Sequence, residues 1–326
     1  MVACDTSSRE LGVAVQSKFL AVGSVVPWAQ AEVGAIATQA WGNTSYGPKG
    51  LELLASGLSV EKVLEALTHE DESRAYRQIG IVDARGKSAA FTGKQTSAYA
   101  GHLTGDGFSV QGNLLAGQEV LQAMADSFRA AHGTLAERML AALAAGQRAG
   151  GDRRGQQSAA LLVVRRAGGY GGFNDRYIDL RVDDHAEPIK ELARLFALHE
   201  QAVQATTHLR LGAELKKSKK DNLAPREFAR ALRIAQKYPT HHALANRVAW
   251  NLAAQDEMLG EALTLIEQAI ALNDTTADYW DTLAEIRARL RQYDAAIAAQ
   301  TKALQLDPSR QPFQERLQRW KNIKKD

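Results

Sequence analysis

GGDRRGQQSAALLVV, from Gly150 to Val164, joins a glycine-rich, charged turn to an apolar run with no polar break. Ala159 to Val164 offers no polar face, which predicts a strand covered on both sides. The turn ahead of it is suited to holding side chains at the edge of a sheet. Gly150 and Gly151 tolerate backbone angles that other residues resist, Asp152 stands beside Arg153 and Arg154, and Gln156, Gln157 and Ser158 follow as hydrogen-bonding groups. A catalytic centre in this chain is expected to have this turn as one wall.

Upstream, Met1 to Cys4 reads as a strand, Asp5 to Arg9 as a turn, and Leu11 to Gln16 as the second strand of a hairpin. Ala21 to Trp28 is extended until Pro27 forbids central pairing, and Glu32 to Ala40 is a buried strand. Tyr46 to Gly50 reads as a turn whose glycines let N–H groups face an anion at a helix start, or as a plain strand-to-helix connection. Helices are expected at Leu51 to Ser56 and Val60 to Thr68, then a hairpin of Gln78 to Asp83 with Ser88 to Thr92, and a short strand near Tyr99 to His102. Gly105 to Gly112 leads into helices Gln118 to Ala131 and Leu135 to Arg148. Beyond the opening stretch, Gly168 to Asn174 is a loop that lacks the Gly-Lys-Ser/Thr of a phosphate loop. Tyr177 to Val182 is the last strand, and Asp183-Asp184-His185 starts a helix from Pro188 to about Leu211. That acidic and histidine triplet suggests either a metal site or a helix cap at Asp184. Runs of strands and of helices favour antiparallel sheets with helix layers. A four-layer αββα sandwich, with helices outside two sheets, fits this order.

The whole chain has 326 residues, enough for two domains, with 45% hydrophobic and 24% charged residues, as in an ordinary globular protein. Its net charge of +3 is concentrated in Lys216 to Lys220 and the terminal KNIKKD. These patches read as solvated surface, since no helix-turn-helix, RRM or zinc-finger pattern accompanies them, and no nucleic-acid partner is expected. The single Cys4 excludes an intrachain disulfide and a thiolate zinc cluster. No apolar run approaches a membrane span and no basic-then-apolar leader is visible, so a cytoplasmic location without membrane attachment is expected. His102 and His132 are isolated.

The motifs LGVAVQSKFLAVGSVVPWA, GAIATQAWGNTSYGPKGLELL, GFSVQGNLLAG, AGGDRRGQQSAALLVV and YIDLRVDDHAEPIKEL, in this order, closely resemble the family known as domain of unknown function 1028 over roughly residues 1 to 200. That family is grouped with the N-terminal nucleophile (Ntn) hydrolases. The resemblance implies the αββα sandwich and a reaction in which the first residue of the mature chain attacks an amide carbonyl while its α-amino group acts as base. It does not name a substrate. Members usually carry a short Thr- or Ser-containing stretch just before the segment that here reads Met1-Val2-Ala3-Cys4, so a start upstream of Met1 is expected. Cys4 is the other candidate nucleophile, if residues 1 to 3 are removed. Otherwise it is a small buried strand residue.

By the same resemblance, Gln16, Ser17 and Lys18 would lie beside the chain start, and Thr38 to Ala40 with the glycine turn after them would supply oxyanion donors. Asp152 with Arg154 would orient the α-amino group, or form an ion pair that ties the turn together. Asn113 or Ser158 would bind the substrate amide, with Ser24, Gln39 and Gln157 as further binding candidates. The implied activity is hydrolysis of an amide or related C–N bond of a small molecule, without a cofactor or metal. A non-catalytic ligand-binding or scaffolding protein on the same fold is the alternative.

From about Asp221 the composition turns alanine-rich and a repeat emerges. Ala262 and Ala296, like Ala269 and Ala303, stand 34 residues apart, and EALTLIEQAIALND (261–274) aligns with AAIAAQTKALQLDP (295–308). This is the period of tetratricopeptide repeats, with Trp280, Leu283, Ala284, Tyr293 and Pro308 in the expected places and Val248, Ala249 and Leu252 in a preceding unit. Roughly two and a half repeats are expected, capped by Arg310 to Lys321. The domains are therefore read as 1–210 for the sandwich and 221–326 for the repeats, with Lys216 to Asp221 as linker. The array would present a concave surface to a peptide or protein, or pack and dimerise, making a homo-oligomer.

Overall fold

A computed structural model describes residues 1–218 and 223–324. Part of the expected linker (219–221) and the last two residues lie outside this description. The chain falls into two compact units, Met1–Ala197 and Leu198–Asp326.

The N-terminal unit holds two antiparallel sheets. One has six strands in the order β10 (Arg176–Val182), β9 (Ser158–Val164), β2 (Glu10–Ser17), β1 (Val2–Asp5), β8 (Phe108–Gly112) and β7 (Gly101–Gly105). The other has four, β3 (Pro27–Gln30), β4 (Gly34–Ala40), β5 (Arg77–Asp83) and β6 (Ser88–Thr92). Alternation explains how the opening stretch folds: Ala160, Leu162 and Val164 of β9 join Leu11, Val13 and Val15 of β2 in one core. Ala159, Leu161 and Val163 point the other way, to α3 (Glu119–Ala130), α4 (Leu135–Arg148) and α5 (Pro188–His199). The strand is apolar throughout because both faces are buried.

The first of those cores also takes Ala35, Ala37 and Val82 from the four-stranded sheet, so it fills the space between the sheets. Ile36, Ile79 and Ile81 turn outward to a third core with α1 (Tyr46–Ala55) and α2 (Val60–His69). Each fully buried Leu or Ile of these layers is worth about 1.5–3 kcal/mol.

Several local expectations are corrected. Pro27 opens β3 and pairs with Ala37 at an edge, where a missing N–H is tolerated, while 22–24 form a 3-10 turn instead of strand. Tyr46 to Gly50 is the first part of α1 and not a turn. A Cβ at Gly47 would collide with the Trp28 ring and one at Gly50 with Ile36, so these glycines serve close packing rather than an anion site. Gly105 to Gly112 includes a strand, β8, which hairpins with β7. The cap near α5 is His185, whose Nδ1 accepts the Glu187 N–H at 2.9 Å, while Asp184 accepts from Gln157 at 3.1 Å. The helix after Pro188 passes through a π segment at Glu200–Gln204 into α6 (Ala205–Lys217). α2 and α4 start where expected, on Ser59 and on a Thr134/Glu137 capping box.

The C-terminal unit is helical: α7 (Ala224–Lys237), α8 (His242–Gln255), α9 (Leu259–Leu272), α10 (Ala277–Arg289), α11 (Tyr293–Leu306) and α12 (Gln311–Ile323) follow α6. Helices α8 with α9 and α10 with α11 are the repeats read from the 34-residue spacing. Ala249, Ala262, Ala269, Ala284, Ala296 and Ala303 are wholly buried, letting the helices of each pair approach closely. α12 closes the array with Phe313 and Trp320 inside. Among the described residues no helix is long and apolar enough to cross a membrane.

Candidate functional site

Four backbone elements converge on a cavity of about 460 Å³ in the N-terminal unit. They are the head of β1, the end of β2, the end of β4 and the segment after β8, with the Gly150–Gly155 turn completing the wall. Leu115 bridges Asp152, Ala116 N–H bonds Gly151 O at 2.9 Å, and Arg153 N–H bonds Leu114 O at 2.9 Å. This short ladder fixes the turn, and Gly150 (φ 112°) and Gly151 (φ 57°) supply the left-handed angles it needs. Two lining residues with side chains, Ala40 (φ 66°) and Leu114 (φ 55°), adopt the same region, a backbone strain of about 1–3 kcal/mol each that is concentrated around functional sites.

Met1 lines this cavity, and its α-amino group donates to Ala14 O at 2.8 Å. Burial lowers its pKa to about 5, so it is an unprotonated amine at neutral pH. Asp152 does not bond it. Burial pushes the Asp152 carboxyl up, but bonds from the Arg154 side chain and N–H, and from Lys18 N–H, bring it below its ordinary value. The Arg154 fork is close, Nε to Oδ1 at 3.0 Å and Nη2 to Oδ2 at 2.6 Å.

Behind these groups stands a relay of carboxamides. Gln78 Nε2 donates to the carbonyls of Gly101 (3.0 Å) and Gly112 (2.9 Å) and to Thr92 Oγ1 (2.9 Å). Two backbone carbonyls accept only from an N–H, so the Gln78 amide can point one way only, with Oε1 free to accept. It accepts from Gln39 Nε2 at 2.9 Å and Asn113 Nδ2 at 3.1 Å. Gln111 Nε2 reaches Gln39 Oε1 at 3.5 Å. At the mouth, Trp41 is 73% exposed, yet its ring lies 5.8 Å from that of Tyr76 and its carbonyl accepts from Arg77. Arg77 is in turn held by Asp71, which also accepts from Tyr46 at 2.6 Å.

Six of the residues singled out from the sequence line the cavity: Gln16, Ser17, Gln39, Asn113, Asp152 and Arg154. The other six stand elsewhere. Cys4 is at the far end of β1, about 10 Å along the strand from Met1. Its thiol donates to Ala84 O at 3.7 Å, and burial together with the Asp5 and Asp83 charges pushes it up to about 12. Lys18 is exposed and its Nζ donates to Gln156 O at 3.3 Å. Ser24 is exposed and bonds Ala21 O at 2.8 Å. Thr38 is buried and bonds Asn43 O at 3.1 Å. Gln157 holds Asp184, and Ser158 donates to Phe19 O and accepts from Val22 N–H at 3.1 Å, tying down the chain after β2. His102 pairs with Thr92 at 2.9 Å. Among the described residues no group of three or more His, Cys, Asp or Glu side chains is placed to hold a metal ion.

Sequence reading missed Gln78, Gln111, Trp41 and Tyr76. The glutamines had a signal: each is the polar interruption of a strand, QIGIVD or FSVQG, that is otherwise buried. Trp41 and Tyr76 had none, because they meet only when β4 and β5 pair.

The model of a family described as Family of unknown function (DUF1028) matches residues 1–192, and a tetratricopeptide repeat model matches 277–310. A crystal structure of a DUF1028 protein from Silicibacter pomeroyi is 32% identical, with a TM-score of 0.57, over 62% of this chain and 85% of that one. The first tetratricopeptide domain of human RPAP3 is 17% identical over 36% of this chain and 91% of that one, with a TM-score of 0.29. MamA from Desulfovibrio magneticus is 21% identical over 42% and 75%, with a TM-score of 0.30. No curated protein matches the chain.

Proposed function

The chain belongs to the DUF1028 family through residues 1–192, and from that membership we propose that its N-terminal unit is an Ntn-type hydrolase of an amide or related C–N bond, built as an αββα sandwich. One observation carries the reading: Met1, at the head of β1, lines the cavity that also holds Asn113, Gln39 and the Asp152–Arg154 pair, and burial holds the amine at that position unprotonated. In such a reaction the hydroxyl or thiol of the residue that heads the mature β1 attacks the carbonyl carbon. Its own amine takes the proton and returns it to the leaving nitrogen, and water then hydrolyses the acyl intermediate. Met has no such nucleophile, so the identity of the mature head residue is decisive.

Cys4 has no part in this scheme, because a thiol held near pKa 12 at the far end of the strand is neither ionised nor near the cavity. Lys18 supports the wall, through its N–H on Asp152 and its Nζ on Gln156 O. Asn113, fixed by Gln78, binds the substrate amide, and the tetratricopeptide unit serves a protein or peptide partner.

The test is intact mass and N-terminal sequencing of the protein from its own source, followed by assay on a panel of amides. A mature head residue of Thr, Ser or Cys, with cleavage lost on its replacement by Ala and reduced about tenfold in kcat/KM by Asn113→Ala, supports the hydrolase. Ligand binding without turnover by that verified chain leaves a binding module and overturns it.

A further inference from the structure

The cavity's charge and its mouth say what kind of molecule it is made for. Asp152 and Arg154 are the ionic side chains that line it, and they neutralise each other through two bonds. The rest of the polar lining is carboxamide and hydroxyl. A charged ligand would give up its hydration for a site with no net charge to replace it, which disfavours it. A neutral amide gives up hydrogen bonds that the wall can return in kind.

The direction of those bonds follows from Gln78. Since its Nε2 is committed to two backbone carbonyls, Asn113 must turn Nδ2 toward Gln78 Oε1. Asn113 Oδ1 is then left without a partner among the described residues, an acceptor on the cavity wall, and Ser17 Oγ likewise makes no bond there. An acceptor and a hydroxyl suit the N–H and C=O of one amide. At the mouth, the Trp41 and Tyr76 rings form a half-fixed aromatic rim. The Trp41 backbone is anchored at both ends, its N–H on Tyr76 O at 3.3 Å and its carbonyl on Arg77, and its ring stays largely exposed beside that of Tyr76. Both rings line the cavity, and an exposed aromatic pair there offers an apolar face on which a ligand's ring can stack.

We propose that this cavity takes an electrically neutral ligand in which an aromatic group is joined to an amide, the ring lying on Trp41 and Tyr76 and the amide bonding Asn113. The inference deepens the hydrolase reading by naming its substrate class, and it also stands as a binding claim alone.

Benzamide, benzoate and benzamidinium share one shape and differ in charge, so they separate these causes when titrated into the full-length protein by calorimetry. Benzamide is expected to bind about tenfold or more tighter than either ion. Trp41→Ala, at an exposed position that the fold does not need, is expected to weaken benzamide about fivefold or more, and Asn113→Ala to erase the preference for the amide over benzoate. Equal or tighter binding of benzoate or benzamidinium, unchanged affinity in Trp41→Ala, or no saturable binding of benzamide overturns the inference. Benzamide binding in a protein that cleaves no amide leaves this inference standing and sinks the hydrolase. Cleavage of charged amides alone, with no benzamide binding, does the reverse.

Discussion

Asp152 works through its neighbours. Its carboxylate gathers Arg154 and the N–H of Lys18, so Asp152→Asn is expected to loosen the wall of the cavity at a cost of about 1 kcal/mol, kept small because Arg154 is 41% exposed. Asp152 and Asp71 are both held below the ordinary carboxylate range. For Asp71 the bonds from Arg77 come first, outweighing burial, with Tyr46 adding to them. Carboxyls with depressed folded pKa values stabilise the fold above the unfolded value of about 3.9, and that contribution fades as pH falls through the folded values. Urea midpoints are therefore expected to drop steeply below about pH 4, and less steeply in Asp152→Asn. In a chain that begins at Met1, the amine adds a second window. Its folded pKa of about 5 lies below the ordinary 8.0, so unfolding takes up a proton between them, and stability rises with pH across that interval. A flat profile there would mean that the amine is not buried. At this scale the sequence was half legible. The glycine turn announced Asp152 and Arg154 through residue type and order, whereas Ser158 and Thr38 have the same chemistry as true lining residues and differ only in which way one strand position faces.

Two glycines separate packing from site. Gly47 on α1 faces the rigid Trp28 ring, which does not line the cavity, so Gly47→Ala is expected to cost about 1–3 kcal/mol and leave ligand affinity unchanged. Gly80 on β5 faces a side chain that can move: an added Cβ would lie 2.6 Å from Gln111 Oε1. Gly80→Ala is expected to swing Gln111 away from Gln39 and Ser109, with a smaller stability loss, about 1 kcal/mol, and weaker benzamide binding. Paired thermal melts and titrations check both, and equal effects on binding would show that the two sheets do not meet at Gly80. Strands with one period were readable: β9 by its unbroken apolar run, β5 and β6 by the turn between them. β8 and the start of α1 were not, because glycine and proline read locally as turn while their tertiary neighbours, Leu115 and Trp28, demand the missing Cβ.

The two units keep separate cores. The largest of the first is built from β strands and α3 to α5, and that of the second begins with Ala205 and Leu209 on α6. The order of strand and helix runs pointed to sheets with helix layers in the first, and the 34-residue period to the paired helices from α8 to α11 in the second, since a repeat needs only its neighbour to bury its face. What no period could foretell is the lock at the end of the array. Asp281 on α10 is buried and accepts from Arg316 of α12, at 2.9 and 2.8 Å, and from Gln300 of α11 at 2.9 Å. Burial raises the Asp281 pKa against the opposing pull of Gln300 and Arg316. Arg316→Ala removes the cation and leaves the carboxylate buried and unpaired, a loss of about 3–5 kcal/mol. The sign of its pH dependence is fixed by the same chemistry. An acid whose folded pKa is raised destabilises the fold more as pH rises, so the variant is expected to regain stability as pH falls from about 7 toward about 5. Calorimetry is expected to show the transition of the helical unit lowered while benzamide binding in the N-terminal unit holds. A loss below about 1 kcal/mol would place Asp281 in contact with water, and weakened binding would mean that the two cores do not stand alone.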